Sequence, residues 1–198
     1  MPVRPRLSRA QLDSFRGATV DDLLGDGLKL LVVGINPGLW TAAVNAHFAR
    51  AGNRFWPAMH RAGITPHLVD ASGGMDEADR AMVIAAGVGI TNLVPVATAR
   101  ADQLTADELR AGAARLTELV HDRQPRVVAV LGLTAYRQAF GRPATRQGRQ
   151  EEGLAGAELW VLPNPSGLNA HDTVDSLAAA YRAAAQAAGI AVAAPSSG

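Results

Sequence analysis

The sequence predicts an α/β protein whose central sheet is mainly parallel and covered on both faces. Three observations carry this. The apolar runs LKLLVV, RVVAVL and LWVL are continuous rather than alternating, as in strands buried on both faces. Stretches of helical character separate them, so successive strands are joined by crossovers. The runs end in Gly, Pro or Asn, residues that stop a strand sharply.

Residues 1–20 read as an arm with little core, 21–190 as a single domain and 191–198 as a flexible tail that frays in AAPSSG. Residues 28–34 form an apolar run closed by Gly and Pro, hence a buried strand. Residues 53–62 read as a helix, 73–86 as a helix with some loop, and 87–94 as a strand. Thr105 is a good N-cap. With Glu108 three residues on, it makes a capping box for a helix running to about Arg123. Residues 126–132 form another buried strand and 134–140 a short helix. The stretch 141–157 is Gly- and Arg-rich and reads as mobile. Residues 159–163 form a strand, and 173–188 a helix begun by Asp172 or Thr173. No internal repeat is visible.

A chain of 198 residues can bury a substantial core, and 48% hydrophobic with 19% charged residues is an ordinary globular composition. The absence of cysteine excludes a disulfide framework, a thiolate zinc site, a cysteine-ligated iron–sulfur cluster and a cysteine nucleophile. No apolar run has signal-peptide or membrane-spanning character, so the expectation is a soluble cytoplasmic protein. Net charge is +1, but its distribution is uneven. No Asp or Glu occurs between Gly27 and Val69 or between Arg123 and Gln150, while arginines recur in both stretches. Such segregation suits a positive face for an anionic partner; a fold that intermixes the blocks would erase it.

Ligands of such sheets bind beyond the carboxyl ends of the strands. Two of those ends carry unusual turns. GINPG at 34–38 sets Asn36 between Ile35 and Pro37, with Gly34 and Gly38 flanking. An amide there offers one acceptor and two donors and does not titrate, so it can orient a water but is no strong base. A turn-forming asparagine fits the same pattern. VLPNPSGLN at 161–169 is a second rigid Asn-Pro turn, with Asn164, Ser166 and Gly167 as hydrogen-bonding groups and Leu168 at its tip. That leucine is either a folded-back anchor or a wedge for a base stack. Phe48, in NAHFARAGNRFW, is placed to stack on a planar ligand, whereas Phe55 and Trp56 look like core and Asn53 and Arg54 like loop braces.

With GINPG, GNRFW at 52–56, GITNLV at 89–94 and LPNPSGL at 162–168 in this order, residues 28–186 resemble the mismatch-specific uracil/thymine-DNA glycosylases of the uracil-DNA glycosylase superfamily. The resemblance implies a three-layer α/β/α sandwich. It implies a monofunctional enzyme that flips a uracil, or another deaminated or etheno base, out of G-mismatched double-stranded DNA. Water then cleaves the N-glycosidic bond and leaves an abasic site for base excision repair. It implies no metal and no cofactor, no membrane association, and a monomer that meets DNA at the nucleoid. By the same resemblance Asn36 is the catalytic residue that holds the water, and Phe48 the ring that stacks on the base. The pocket comprises Gly34, Ile35, Pro37, Gly38, Thr41, His47, Phe48, Asn53, Asn92 and Asn164. Leu168 is the wedge, with Ser166, Gly167 and Asn169 contacting phosphates and the opposite strand.

Some positions depart from that pattern. Ala170 stands where bacterial relatives often have Arg, which weakens the expected grip on the opposite strand. Thr41 stands where the thymine-processing animal branch has Ala, and its bulk crowds a 5-methyl group; His47 matches a histidine of that branch. Trp40 is larger than usual and is expected to reshape the pocket. Asn92 fits a pocket role and a packing role equally. Uracil is the expected base, and thymine stays open. With no Asp base in the first turn and Asn164 where faster relatives have His, slow chemistry dependent on the leaving group is expected. His60, His67, His121 and His171 show no ligand-like spacing, Ser166 is not in a G-x-S-x-G elbow, and GINPG is not G-x-G-x-x-G. Two other readings compete: a lesion- or mismatch-binding module with negligible catalysis, and a small-molecule nucleoside enzyme.

Overall fold

Five strands form one sheet: β1 Leu30–Gly34, β2 Val88–Asn92, β3 Val127–Leu131, β4 Gly148–Arg149 and β5 Glu158–Leu162. Their order is β2-β1-β3-β5-β4, with β1, β2, β3 and β5 parallel and only β4 antiparallel. The computed structural model describes residues 4–167 and 169–194.

The apolar strands run continuously because both faces are covered, and side chains alternate between them. Leu30, Val32, Ile90, Ala129 and Leu131 point to one core, with Phe55, Met59, Leu177 and Tyr181. Leu31, Val33, Val128, Val130 and Val161 point to the other, with Leu109, Leu116, Val120 and Tyr136. The first face carries α3 (Phe55–Arg61), α4 (Glu77–Ala85) and α7 (Val174–Ala187); the second carries α5 (Ala106–Arg123) and α6 (Leu133–Phe140). The result is the expected α/β/α sandwich.

Local signals explain the helix ends. Thr105 Oγ1 accepts from Glu108 N at 3.2 Å while Glu108 Oε2 accepts from Thr105 N at 2.7 Å, closing the capping box at α5. Thr173, not Asp172, is the N-cap of α7, paired reciprocally with Ser176.

Three expectations need correction. Residues 141–157 are built into the fold rather than left as a mobile loop. Arg149 pairs with Trp160 in the sheet, Thr145 O accepts from Arg137, and Leu154 and Ala157 complete the second core. Their apolar contribution is two isolated residues with no period, so no pattern announced it. Two short helices, α1 (Arg9–Asp13) and α2 (Leu39–Val44), were not anticipated. The first is opened by a Ser8–Gln11 capping box; the second starts at Gly38, directly after the Asn-Pro turn. The arm also contributes more than expected. Phe15, Ala18 and Val20 pack with Ala42 and Ala97, and Gly17 and Ala18 exchange backbone hydrogen bonds with Ala97.

Candidate active site

The first turn is held by the loop that follows β2. Leu93 N donates to Gly34 O at 2.8 Å, Val94 N to Ile35 O at 2.9 Å and Thr98 N to Pro37 O at 3.2 Å. This continues the β1–β2 pairing past the strand ends. It brings Asn36 against residues about sixty positions away. Its Nδ2 donates toward three acceptors: Thr98 Oγ1 at 2.7 Å, Pro37 O at 3.1 Å and Val96 O at 3.2 Å. Thr98 Oγ1 donates in turn to Arg100 O at 2.8 Å, so its lone pairs face Asn36. With acceptors on that side, the amide can have only one orientation. Among the described residues no donor reaches its Oδ1, which is left as an acceptor.

Asn36 lines a cavity of about 440 Å³ at the carboxyl end of the sheet. Gly34, Asn92, Leu131 and Asn164 line it from the ends of β1, β2, β3 and β5. Sheet order reverses direction at β1, with β2 on one side and β3 on the other, so the cavity lies where such sheets bind ligands.

Each wall has a reason in the chain. At Gly34 a Cβ would lie 2.6 Å from Asn92 Oδ1 and 3.3 Å from the Phe48 ring, so any larger residue would displace two side chains of the wall. Gly38 differs: a Cβ there would meet nothing within 4 Å, so its bareness widens the cavity rather than relieving a clash. Phe48 has φ of 57°, a left-handed conformation that is strained for an aromatic residue. In that conformation its ring stacks on Phe55, centroids 3.9 Å apart, and borders the cavity. Phe55 is fully buried, so the floor under Phe48 is rigid.

The second turn, after β5, is held from within and from below. Asn164 Oδ1 accepts from Ser166 N at 3.0 Å. Asn169 Nδ2 donates to Asn164 O at 3.0 Å and to Asp172 Oδ2 at 2.8 Å. Arg54 reaches up from the start of α3. Its guanidinium donates to Ser166 O at 2.7 Å, Asn169 O at 2.6 Å and Asp172 O, and its backbone N donates to Pro165 O at 2.9 Å. Gly167 packs so close that a Cβ would lie 2.8 Å from Gly52 O. Arg54 therefore braces the loop, as the sequence suggested; Asn53 caps Phe55 N at 2.9 Å and also lines the cavity.

Of the expected pocket residues, Gly34, Ile35, Asn36, Pro37, Gly38, Thr41, Phe48, Asn53, Asn92 and Asn164 come together around this one cavity. Ser166 and Asn169 join them at the rim, Gly167 lies behind it, and Leu168 falls outside the described residues. His47 is not on the wall. It is buried behind Asn92, with Nε2 3.1 Å from Asp21 O and Nδ1 3.4 Å from Asn92 Nδ2. Burial pushes its pKa down to about 4 against the opposing pull of Asp22 and the Asp21 carbonyl, so the ring is neutral at pH 7. Trp40 does not reshape the pocket. Its indole turns away, donating to Ser72 O at 3.0 Å under the Arg4 guanidinium.

Sequence reasoning missed Arg50, Leu131 and the run 98–102, all on the cavity. Leu131 was recoverable from the strand-end rule; the run TARAD carries no motif. Asp102 is the one carboxylate lining the cavity among the described residues, and it is turned to Arg100, 3.1 Å from its Nε. Several arginines of the acid-free blocks are paired with carboxylates from outside them. Arg142 and Arg149 pair with Glu152 and Glu158, Arg61 pairs with Asp175, and Arg50 and Arg100 are the cations at the cavity. Among the described residues, no group of three His, Asp or Glu stands together as a metal site, and no helix is long and apolar enough to cross a membrane.

The fold and the site together define an α/β protein with an amide-lined cavity at the carboxyl end of a mainly parallel sheet. Its lineage is specific: the chain belongs to the Uracil DNA glycosylase superfamily, whose sequence model matches residues 22–186. Membership supports a DNA glycosylase, a hydrolase acting on uracil in DNA as part of DNA repair.

Proposed function

We propose that the protein is a monofunctional DNA glycosylase that excises uracil from G-mismatched duplex DNA without metal or cofactor. The observation that carries this reading is the fixed amide of Asn36, a residue of the cavity wall, with Nδ2 held by Thr98, Val96 and Pro37 and Oδ1 without a donor among the described residues. An acceptor held in place can take one hydrogen of a water and aim its lone pair at C1′ of a flipped nucleotide. As the C1′–N1 bond breaks, the electron pair leaves on the uracil ring and the sugar becomes cation-like. The water oxygen bonds to C1′, and its proton passes to solvent or to the departing uracil. Phe48, backed by Phe55, gives the base a ring to stack on. Asn92 and Asn164 supply polar atoms for its edge, Thr41 crowds the 5-position, and Leu168 is the wedge that fills the gap in the duplex. Among the described residues the one carboxylate at the cavity, Asp102, is engaged by Arg100, so no strong base stands at Asn36 and the rate depends on the leaving group.

A second reading, a mismatch-binding module with negligible catalysis, is favoured by the same lack of an acid or base beside Asn36. One experiment separates them: single-turnover incubation with G·U, A·U, G·T, G·hypoxanthine and single-stranded U substrates, each followed by alkali. The expected result is strand scission on G·U, reduced about 10²-fold or more in Asn36→Ala, the scale of losing one well-placed reactant. Retained G·U binding with no scission on any substrate would establish the binding module instead.

A further inference from the structure

Behind the cavity wall lies a chain of groups that the reaction itself does not use. It begins in the segment before β1. Asp21 is fastened to the loop after α2 by a reciprocal pair: its N donates to Asn45 Oδ1 at 3.0 Å, and its Oδ2 accepts from Asn45 Nδ2 at 2.7 Å. The next residues are fastened to the sheet, with Leu23 and Ile90 exchanging backbone bonds at 2.9 and 2.8 Å and Thr91 Oγ1 donating to Asp22 Oδ1 at 2.7 Å. The Asp21 carbonyl is thus held 3.1 Å from His47 Nε2.

A carbonyl only accepts, so Nε2 must carry the proton. A neutral ring then has a bare Nδ1, which only accepts. Asn92 lies 3.4 Å from that nitrogen and must turn Nδ2 toward it. Its Oδ1 then points the other way, to the space that Gly34 leaves open beside the cavity. We propose that His47 is a positioning residue: the Asp21 carbonyl sets its tautomer, and its bare Nδ1 holds the Asn92 amide so that the cavity meets an acceptor.

An unrestrained asparagine reads either edge polarity by flipping; a restrained one reads a single polarity. Resting on the reading of the cavity as a base pocket, this favours a base that offers a ring N–H there, as uracil does. A bare ring nitrogen would set two lone pairs against each other. The groups facing His47 are Asp21 and Asp22 from the segment before β1 and Arg80 from α4, and burial outweighs the two carboxylates. The tautomer is therefore constant across neutral pH.

The tautomer is read directly by long-range ¹H–¹⁵N correlation spectra of the ¹⁵N-histidine-labelled full chain. The expected spectrum has a protonated Nε2 and a bare Nδ1 at His47, unchanged from pH 8 to pH 6. A protonated Nδ1 anywhere in that range would overturn the proposal. A rate cycle tests the consequence. Single-turnover rates on G·U and on G·3-deazauracil, which lacks the ring N–H, are compared in wild type, His47→Leu and His47→Gln. The penalty for 3-deazauracil should be about tenfold larger in wild type than in His47→Leu, the worth of one hydrogen bond, and His47→Gln should restore it. Equal penalties in wild type and His47→Leu would overturn the proposal. If no duplex is cut at all, the enzymatic reading fails, while the spectrum still decides the tautomer.

Discussion

The two Asn-Pro turns at the mouth of the cavity are alike in sequence and opposite in polarity. In the first, Asn36 has its Nδ2 surrounded by acceptors from another loop and presents Oδ1. In the second, Asn164, also a residue of the cavity wall, turns its Oδ1 back on Ser166 N, which leaves Nδ2 as the group not used in holding the turn. The same dipeptide, each time just past a strand end, thus supplies an acceptor on one side and a donor on the other. The surroundings decide. The first turn is clamped from outside by the loop after β2, and the second closes on itself and is held from below by Arg54.

The contrast is broken most severely at the support of the second turn. Arg54 is a half-buried cation whose guanidinium bonds to Ser166 O, Asn169 O and Asp172 O. Hydrogen bonds to a charged group are worth about 1.5–3 kcal/mol each, and Arg54→Met would also strand the carbonyls. The expected loss is at least about 4.5 kcal/mol in urea unfolding. Under the glycosylase reading, duplex uracil should suffer more than single-stranded uracil, because the loop carrying Leu168 serves only the duplex. Equal losses on both substrates would mean that the loop has no special duplex role.

The next largest effect is Asn36→Asp. A carboxylate looks like an improvement, since it is a base where the amide is not. Here it has no hydrogen to give, and it faces Thr98 Oγ1, Pro37 O and Val96 O. The expectation is a stability loss of roughly 3 kcal/mol, from lost hydrogen bonds and lone-pair repulsion, with no gain in rate. A variant that is as stable as wild type and faster would show that the clamp adapts, and the polarity argument would fall.

These contacts also show where sequence reading stops. The strands, the capping box at Thr105 and both Asn-Pro turns were legible because each is encoded within a few residues. The Phe48–Phe55 stack was half legible: the aromatic stood out, but not the positive φ that aims it. The clamp on Asn36 was not legible, because Thr98 is 62 positions away in a run with no motif. Trp40 was misjudged for a related reason. Residue size indicates how much room a side chain needs, whereas direction here depends on the Ser72 carbonyl and Arg4.

A third amide sharpens the comparison, since Asn92 is held by a ring that can titrate. His47 has its folded pKa lowered to about 4 from an ordinary 6.5, with burial the main cause. Between these values the unfolded chain binds more protons than the folded one. Stability is therefore full above about pH 6.5 and falls as pH drops toward 4. At 1.36 kcal/mol per unit the loss reaches up to about 3 kcal/mol. Urea unfolding from pH 7.5 to 4.5 should show this slope in wild type, flattened in His47→Gln. Identical slopes would assign the acid sensitivity to other groups and leave the neutrality of the Asn92 support unproven.

The smallest effect is expected at Asn164→Asp, which makes it the strictest check. The substitution keeps an oxygen to accept from Ser166 N at 3.0 Å and replaces Nδ2, which takes no part in holding the turn, by a second, negatively charged carboxylate oxygen. Asn169 Nδ2 still reaches the backbone oxygen of residue 164. Stability should therefore stay within about 0.5 kcal/mol of wild type, the range of a substitution that breaks no buried contact. The same chemical change at Asn36 should cost several times more. If urea unfolding shows similar losses at both positions, the two amides are not oriented by opposite neighbours. If Asn164→Asp alone is silent, the opposite polarity of the two turns is established without any measurement of activity.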